Sequence, residues 1–314
     1  MKIDIFSHIL PERYLAAFME KAKPGAEFRE ARNRANCEID VRLRLMNRYP
    51  DVVQVLTVSR PPLETLVTLG DAVELARIAN DELAELVARY PDKFVAAVAC
   101  LPLNDMDAAL EEADRAITEL NLRGVQIFTN INGETLDLPK FRPLYEKMAN
   151  YDLPIWIHPD TDPDTPRKHH NPVFGWPYET ALAMFRLVSA GVLQDYPDIK
   201  FVTHHCGGIV PYLGHRLKWM FHPGVEAERT ARNPIEHFHK FYNDTAVYGS
   251  TAALMCGYDF FGADHLLFGT DAPLGPGFGL TMETIHSIEK MGIPDIDKEK
   301  IFTQNAIKLL RLAI

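Results

Sequence analysis

The sequence predicts an α/β fold, a single (β/α)8 TIM barrel with an insertion after strand one. Three observations carry that expectation. Short β-branched or aromatic runs alternate with longer amphipathic stretches along the whole chain, eight such runs fit within its 314 residues, and no GxGxxG turn follows the first. An open doubly wound sheet usually has about five to seven strands and that glycine-rich turn. At roughly 150 residues per domain the length would suggest two domains, but α/β barrels commonly reach this size as one. Residues 1–314 are therefore expected to form a single barrel domain.

The expected strands, in order, are Lys2–Ile5, Val52–Val58, Phe94–Ala99, Gly124–Phe128, Pro154–His158, Lys200–His204, Phe241–Thr245 and His265–Gly269. Between them, Asp71–Tyr90 places Val73, Leu75, Ala76, Ile78, Ala79, Leu83, Leu86 and Val87 near helical spacing. Met106–Leu120 repeats Ala, Leu and Ile at three and four, with Glu111, Glu112 and Arg115 on the polar face. Lys140–Asn150, Thr180–Asp195, Val210–Phe221, Leu280–Met291 and Asp297–Leu312 follow the same pattern. Pro24–Asn36 fits neither period and is expected as an insertion between strand one and its helix, over the barrel mouth. Asp160–Pro177 is proline-rich, carries His169 and His170, and is expected as a second loop at that mouth.

Composition narrows the class. Hydrophobic residues make up 47%, charged residues 24% and aromatic residues 10%, which is globular rather than disordered. The longest apolar run, Phe94–Leu103, contains Pro102 and falls short of the roughly twenty residues a bilayer demands. The first residues, MKIDIFSHILPE, place acid and histidine where a signal peptide keeps an apolar stretch. A net charge of −10 argues against nucleic acid as partner. Cys37, Cys100, Cys206 and Cys256 show no paired spacing and read as reduced thiols. The expectation is a soluble cytoplasmic protein with no nucleic-acid or membrane partner, acting on a small molecule.

In a barrel, catalytic groups sit at the C-terminal ends of strands. Strand one ends in Phe6-Ser7-His8, strand five in Ile157-His158, strand six in His204-His205-Cys206-Gly207-Gly208 and strand eight in Gly269-Thr270-Asp271. Taken singly, each histidine reads as a packing residue and the aspartate as a helix cap. Taken together they converge on one rim and point to a metal or acid–base site. Imidazole and carboxylate suit a borderline divalent ion: zinc first, manganese second. Adjacent strand residues face opposite ways, so one of His204 and His205 is expected outside the pocket.

The strings MKIDIFSHILPE, IHPD, HCGG and FGTDAP, in this order over essentially the whole chain, resemble the amidohydrolase superfamily. More narrowly they resemble its branch of aminocarboxymuconate-semialdehyde decarboxylase and related non-oxidative decarboxylases of hydroxylated aromatic acids. The resemblance implies His8, His158 and Asp271 as metal ligands, with His205 and Asp271 as catalytic proton carriers. His205 matches the family's H-x-G-G histidine and is thereby favoured over His204 as the inward residue. Arg42 and Arg216 fall where that branch keeps carboxylate-binding arginines, the second reaching over from a neighbouring subunit, which implies a homodimer. Trp176 matches an aromatic bordering the pocket. One departure is plain: the family's strand-one HxH or ExH here has Phe6 in the first ligand's place. Phenylalanine cannot coordinate. The site then either keeps three protein ligands or works metal-free as a hydrogen-bonded acid–base cluster.

The leading expectation is loss of carbon dioxide from a small hydroxylated or amino-substituted aromatic or unsaturated carboxylic acid. Arg42 and Arg216 would grip its carboxylate, and Trp176 and Phe6 would wall its ring. The same residues would also serve hydrolysis of a lactone, amide or ester by metal-activated water. Phe128 and Thr129 stand where a binuclear hydrolase would carry its carboxylated lysine, which argues against a binuclear site. A third reading, prompted by Phe6, is a barrel that only binds a small acid.

Overall fold

The computed structural model describes residues 1–161, 172–221, 234–275, 278 and 280–314. Eight strands follow one another: β1 Lys2–Ile9, β2 Val52–Val58, β3 Phe94–Ala97 continued by Ala99–Cys100, β4 Val125–Phe128, β5 Ile155–His158, β6 Phe201–Thr203, β7 Tyr242–Asp244 and β8 Leu266–Leu267. Each pairs in parallel with the next. Beyond the ladders, the Ile5 amide donates to the Phe268 carbonyl at 2.9 Å and the His8 amide to the Ala272 carbonyl at 2.6 Å. These bonds join β1 to the chain leaving β8 and close the ring.

Alternation along each strand sorts its side chains between two cores. Ile3 and Ile5, Val53 and Val55, Ala96 and Val98, Trp156, Val202 and Leu267 fill the interior, with Ala306, Leu309 and Leu310 across its floor. Leu56, Phe94, Ile127, Ile155, Phe201 and Phe268 belong to the larger core shared with the helices. The helices that matter here are α1 Glu12–Lys21, α2 Ile39–Met46, α3 Leu69–Arg89, α4 Met106–Thr118, α5 Arg142–Tyr151, α6 Gly175–Ser189, α7 Gly214–Met220, α8 Thr251–Phe261, α9 Thr281–Glu289 and α10 Asn305–Leu310. No helix among the described residues is long and apolar enough to cross a membrane.

Several expectations need correcting. The stretch expected as one helix over Thr180–Asp195 starts at Gly175, stops at Ser189 and resumes at Val192–Asp195, because Gly191 takes a left-handed φ of 72° between them. The stretch expected over Asp297–Leu312 is a helix over Asp295–Glu299, a π turn over Lys300–Gln304, then α10. The insertion lies after strand one as expected, with α1 before it and α2 behind it. It reaches the mouth: Asn33 Nδ2 donates to the Pro273 carbonyl at 2.6 Å, beyond β8. His169 and His170 lie outside the described residues.

Candidate active site

The site starts from a defect in β1. Between Asp4 and Ser7 the pairing with β2 slips by one residue, a bulge that re-aims the rest of the strand. Asp4 fills it, accepting from the Phe6 amide at 3.3 Å and Ser7 Oγ at 3.1 Å. It also accepts from the Thr270 amide at 3.0 Å and Thr270 Oγ1 at 2.6 Å, which fixes the residue before Asp271. Burial lifts the Asp4 carboxyl to about 6, against the pull of these donors.

Beyond the bulge, Phe6 and His8 share a side, their ring centroids 5.3 Å apart. His8 is fully buried. Its Nδ1 lies 3.0 Å from Thr57 Oγ1, whose hydroxyl donates onward to the Ser7 carbonyl at 3.5 Å. In the tautomer with the ring proton on Nδ1, donated to Thr57 Oγ1, Nε2 presents its lone pair to the interior. Nε2 comes to 3.0 Å from Asp271 Oδ1 yet has no hydrogen-bond partner of proper geometry. His158, at the end of β5, sets its Nδ1 at 2.7 Å from the Pro159 carbonyl. A carbonyl only accepts, so here too Nε2 is left with a lone pair. Burial, reinforced by neighbouring His8, His204 and Arg60, holds the His158 imidazole well below its usual range.

Sequence reasoning expected one of the strand-six histidines outside the pocket. The structure turns both inward. β6 ends at Thr203, His204 is still extended, and His205 and Cys206 take left-handed φ angles of 55°, so strand alternation no longer applies. His204 donates from Nδ1 to Asp244 Oδ2, and its Nε2 stands 3.3 Å from Asp271 Oδ1. Burial alone would lower its pKa, but the Asp244 and Asp271 carboxylates outweigh burial and push it up to about 10. Burial and the adjacent His204 push His205 down to about 3. Its ring stacks near Trp176 at 6.2 Å and Tyr248 at 6.4 Å.

Asp271 joins the parts. Its Oδ1 faces His8 and His204, and its Oδ2 accepts from the Tyr248 hydroxyl at 3.1 Å. Burial would raise its carboxyl, but the adjoining imidazoles of His204 and His8 hold it well below the usual carboxylate range. One ring nitrogen from each of His8, His158 and His204 lies within 4.8 Å of the others, and so do His204, His205 and an Asp271 oxygen. Buried imidazoles with one nitrogen tied and the other aimed inward, beside a carboxylate, are the donor set of a divalent cation.

The remaining predicted residues divide. Trp176, at the start of α6, faces His158 at 6.0 Å and His205, with the Arg60 guanidinium 5.4 Å over its ring. Phe6 does not wall the pocket: it is fully buried, its ring stacked under His204 at 3.9 Å and 19°. Arg42 does not reach the pocket either. It is fully buried on α2, donating from Nη1 to the His8 carbonyl at 2.6 Å and from Nε to Gln54 Oε1 at 3.0 Å. Arg216 lies exposed on α7, whose neighbours Tyr212 and Trp219 are also exposed. Sequence reasoning passed over Asp244, Arg60 and Tyr248. The first two stand at or just past the ends of β7 and β2, where the strand-end rule would have found them.

The family profile described as amidohydrolase matches residues 3–312. The chain belongs to the amidohydrolase family. Its sequence is 31% identical to 2-amino-3-carboxymuconate-6-semialdehyde decarboxylase of Dictyostelium discoideum, over 99% of this chain and 92% of that protein. It is 30% identical to gamma-resorcylate decarboxylase of Rhizobium sp. (strain MTP-10005), over 92% of each. The fold also matches a crystal structure of dihydroxybenzoic acid decarboxylase from Polaromonas sp. JS666 with bound manganese and the inhibitor 2-nitroresorcinol. The TM-score there is 0.80 at 28% identity, covering 99% of this chain and 96% of that one. This amidohydrolase therefore has homologues that are non-oxidative decarboxylases, one of them seen with a metal ion.

Proposed function

We propose that this amidohydrolase is a divalent-metal-dependent, non-oxidative decarboxylase of a small hydroxylated aromatic acid. The observation that carries the reading is the buried donor cluster at the barrel mouth, in which His8 and His158 share a group with His204 and His8 Nε2 comes to 3.0 Å from Asp271 Oδ1, in a chain whose relatives are decarboxylases. His8, His158 and Asp271 would hold the ion. The unpartnered Nε2 of His8 and the nitrogen-rich donor set suit zinc first, and manganese, the ion of the Polaromonas relative, second. When bound, the ion supplies a Lewis acid for the substrate's carboxylate and ortho oxygen.

The chain's own residues supply the rest. Trp176 offers its half-buried ring as a wall for the aromatic ring of the substrate. Arg60, paired with Asp160 and stacked on Trp176, is the guanidinium that faces this wall and orients an anionic substrate. In the reaction the bond between the ring carbon and the carboxylate breaks, the electron pair stays on the ring carbon, and a proton arrives there. That proton comes from the substrate's own acidic group or from solvent; Asp271, held ionised, and His205, held neutral, would accept it and pass it to the ring carbon. The enzyme is taken to be a cytoplasmic homodimer that associates through the face carrying Arg216, where Tyr212 is 82% and Trp219 65% exposed.

The test is release of carbon dioxide from a panel including gamma-resorcylate and 6-methylsalicylate by zinc- or manganese-loaded protein. Turnover is expected on at least one acid, and Asp271→Asn is expected to lower it about a hundredfold or more. Hydrolysis of lactones or esters with no decarboxylation anywhere in the panel would sink the proposal.

A further inference from the structure

His204 is the one histidine that both candidate donor groups contain. Its Nδ1 is tied to Asp244 Oδ2, and Asp244 is itself fixed, accepting at Oδ1 from the Ala246 amide at 2.9 Å and the Cys206 amide at 3.2 Å. A carboxylate holding the outer nitrogen of an imidazole is what orients a metal-bound histidine and raises its basicity. The inner nitrogen, Nε2, faces Asp271 at 3.3 Å. The ring cannot swing away, because Phe6 lies flat against one face at 3.9 Å and His205 covers it at 4.0 Å. Gly269 makes room for the arrangement: a Cβ there would fall 2.8 Å from Asp244 Cβ and 3.4 Å from Phe6 Cβ.

We infer that His204 is a metal ligand, so that the ion is held by three imidazoles, His8, His158 and His204, together with Asp271. Phe6 then has a positive role. It is the apolar platform that sets the His204 ring, and the imidazole absent from position 6 is supplied from the end of β6. The set becomes three nitrogens and one oxygen, which favours zinc over magnesium or calcium. This inference rests on the metal-dependent function proposed for the site, and the test separates the two.

Metal-free protein is titrated calorimetrically with zinc and with manganese, comparing wild type with His204→Gln, each checked for native circular dichroism. Wild type is expected to bind one ion per chain, and His204→Gln at least a hundredfold more weakly. Should His204→Gln remain folded and bind within about threefold of wild type, His204 is no ligand, while the reading through His8, His158 and Asp271 stands. If wild type binds neither ion, both fall together. Should His204→Gln not fold, pulsed electron paramagnetic resonance of manganese-loaded, 15N-histidine-labelled wild type counts the coordinated imidazoles directly. Three are expected, and two would overturn the assignment.

Discussion

A buried arginine whose charge is tied to the backbone does different work from one that grips a substrate. Arg42 binds the His8 carbonyl and Gln54 Oε1, and its guanidinium lies 5.8 Å over Phe94 and 5.9 Å over Phe278. Burial depresses its pKa to about 9, with Asp4 opposing. Its work is to hold the strand that presents His8. Arg42→Met is therefore expected to cost roughly 2–4 kcal/mol of stability, because it leaves the His8 carbonyl and Gln54 unpaired in the interior. KM for a decarboxylated acid should stay within about twofold in the surviving folded protein. Denaturant titration and steady-state kinetics check the two halves, and a rise in KM of tenfold at unchanged stability would restore Arg42 to the substrate. At this scale the sequence was most legible where strand and chemistry coincide: His8, His158 and Asp271 follow from the strand-end rule. The orientation of His204 was not legible, because it depends on where β6 stops and on a left-handed His205 that no side-chain pattern announces.

Elements follow the same division between pattern and context. Helices α3 and α4 show their apolar stripe in sequence because one face meets water. Helix α8, TAALMCGYDFF, is apolar around much of its circumference and so lacks the alternation that would reveal it. The turn after β6 is set by backbone conformation. Gly208 has a φ of 61°, and a Cβ there would lie 2.1 Å from the Pro177 carbonyl, inside the first turn of α6. That close approach sets the turn carrying the histidine pair against the start of α6, where the Trp176 ring lies 6.2 Å from that of His205. Gly208→Ala must strain the left-handed turn or push α6 outward. It is expected to destabilise by roughly 2 kcal/mol or more, and to quench or shift the fluorescence of Trp176 relative to a Trp176→Phe background. An Ala variant with unchanged midpoint and emission would show that α6 does not rest on this glycine.

Across the whole molecule, one buried glutamate, through its carboxylate and its backbone carbonyl, couples three loops of the barrel mouth. Glu64, in the short helix Leu63–Leu66 after β2, accepts from the Leu103 amide at 3.1 Å beyond β3. Its own carbonyl accepts from Asn132 Nδ2 at 3.3 Å, beyond β4. It is nearly inaccessible to solvent, and burial, with a further push from Asp160, raises its carboxyl to about 7. The unfolded chain releases this proton at the usual carboxylate pKa, so between about pH 4.5 and 7 the folded form holds more proton than the unfolded one. Stability from this group is then full below that window and lost as pH rises through it, by on the order of 3 kcal/mol. Asp4, raised to about 6, adds a loss of the same sign at slightly lower pH. Glu64→Gln keeps an acceptor for the Leu103 amide and removes the titration. Relative to wild type, the variant is expected to gain stability from about pH 4.5 to 7 and to level off by about pH 8, with the Asp4 contribution common to both and cancelling. Urea midpoints for the pair at four or five pH values measure that difference, and a difference that does not change with pH would mean that the mouth of the barrel does not hold Glu64 in its protonated form.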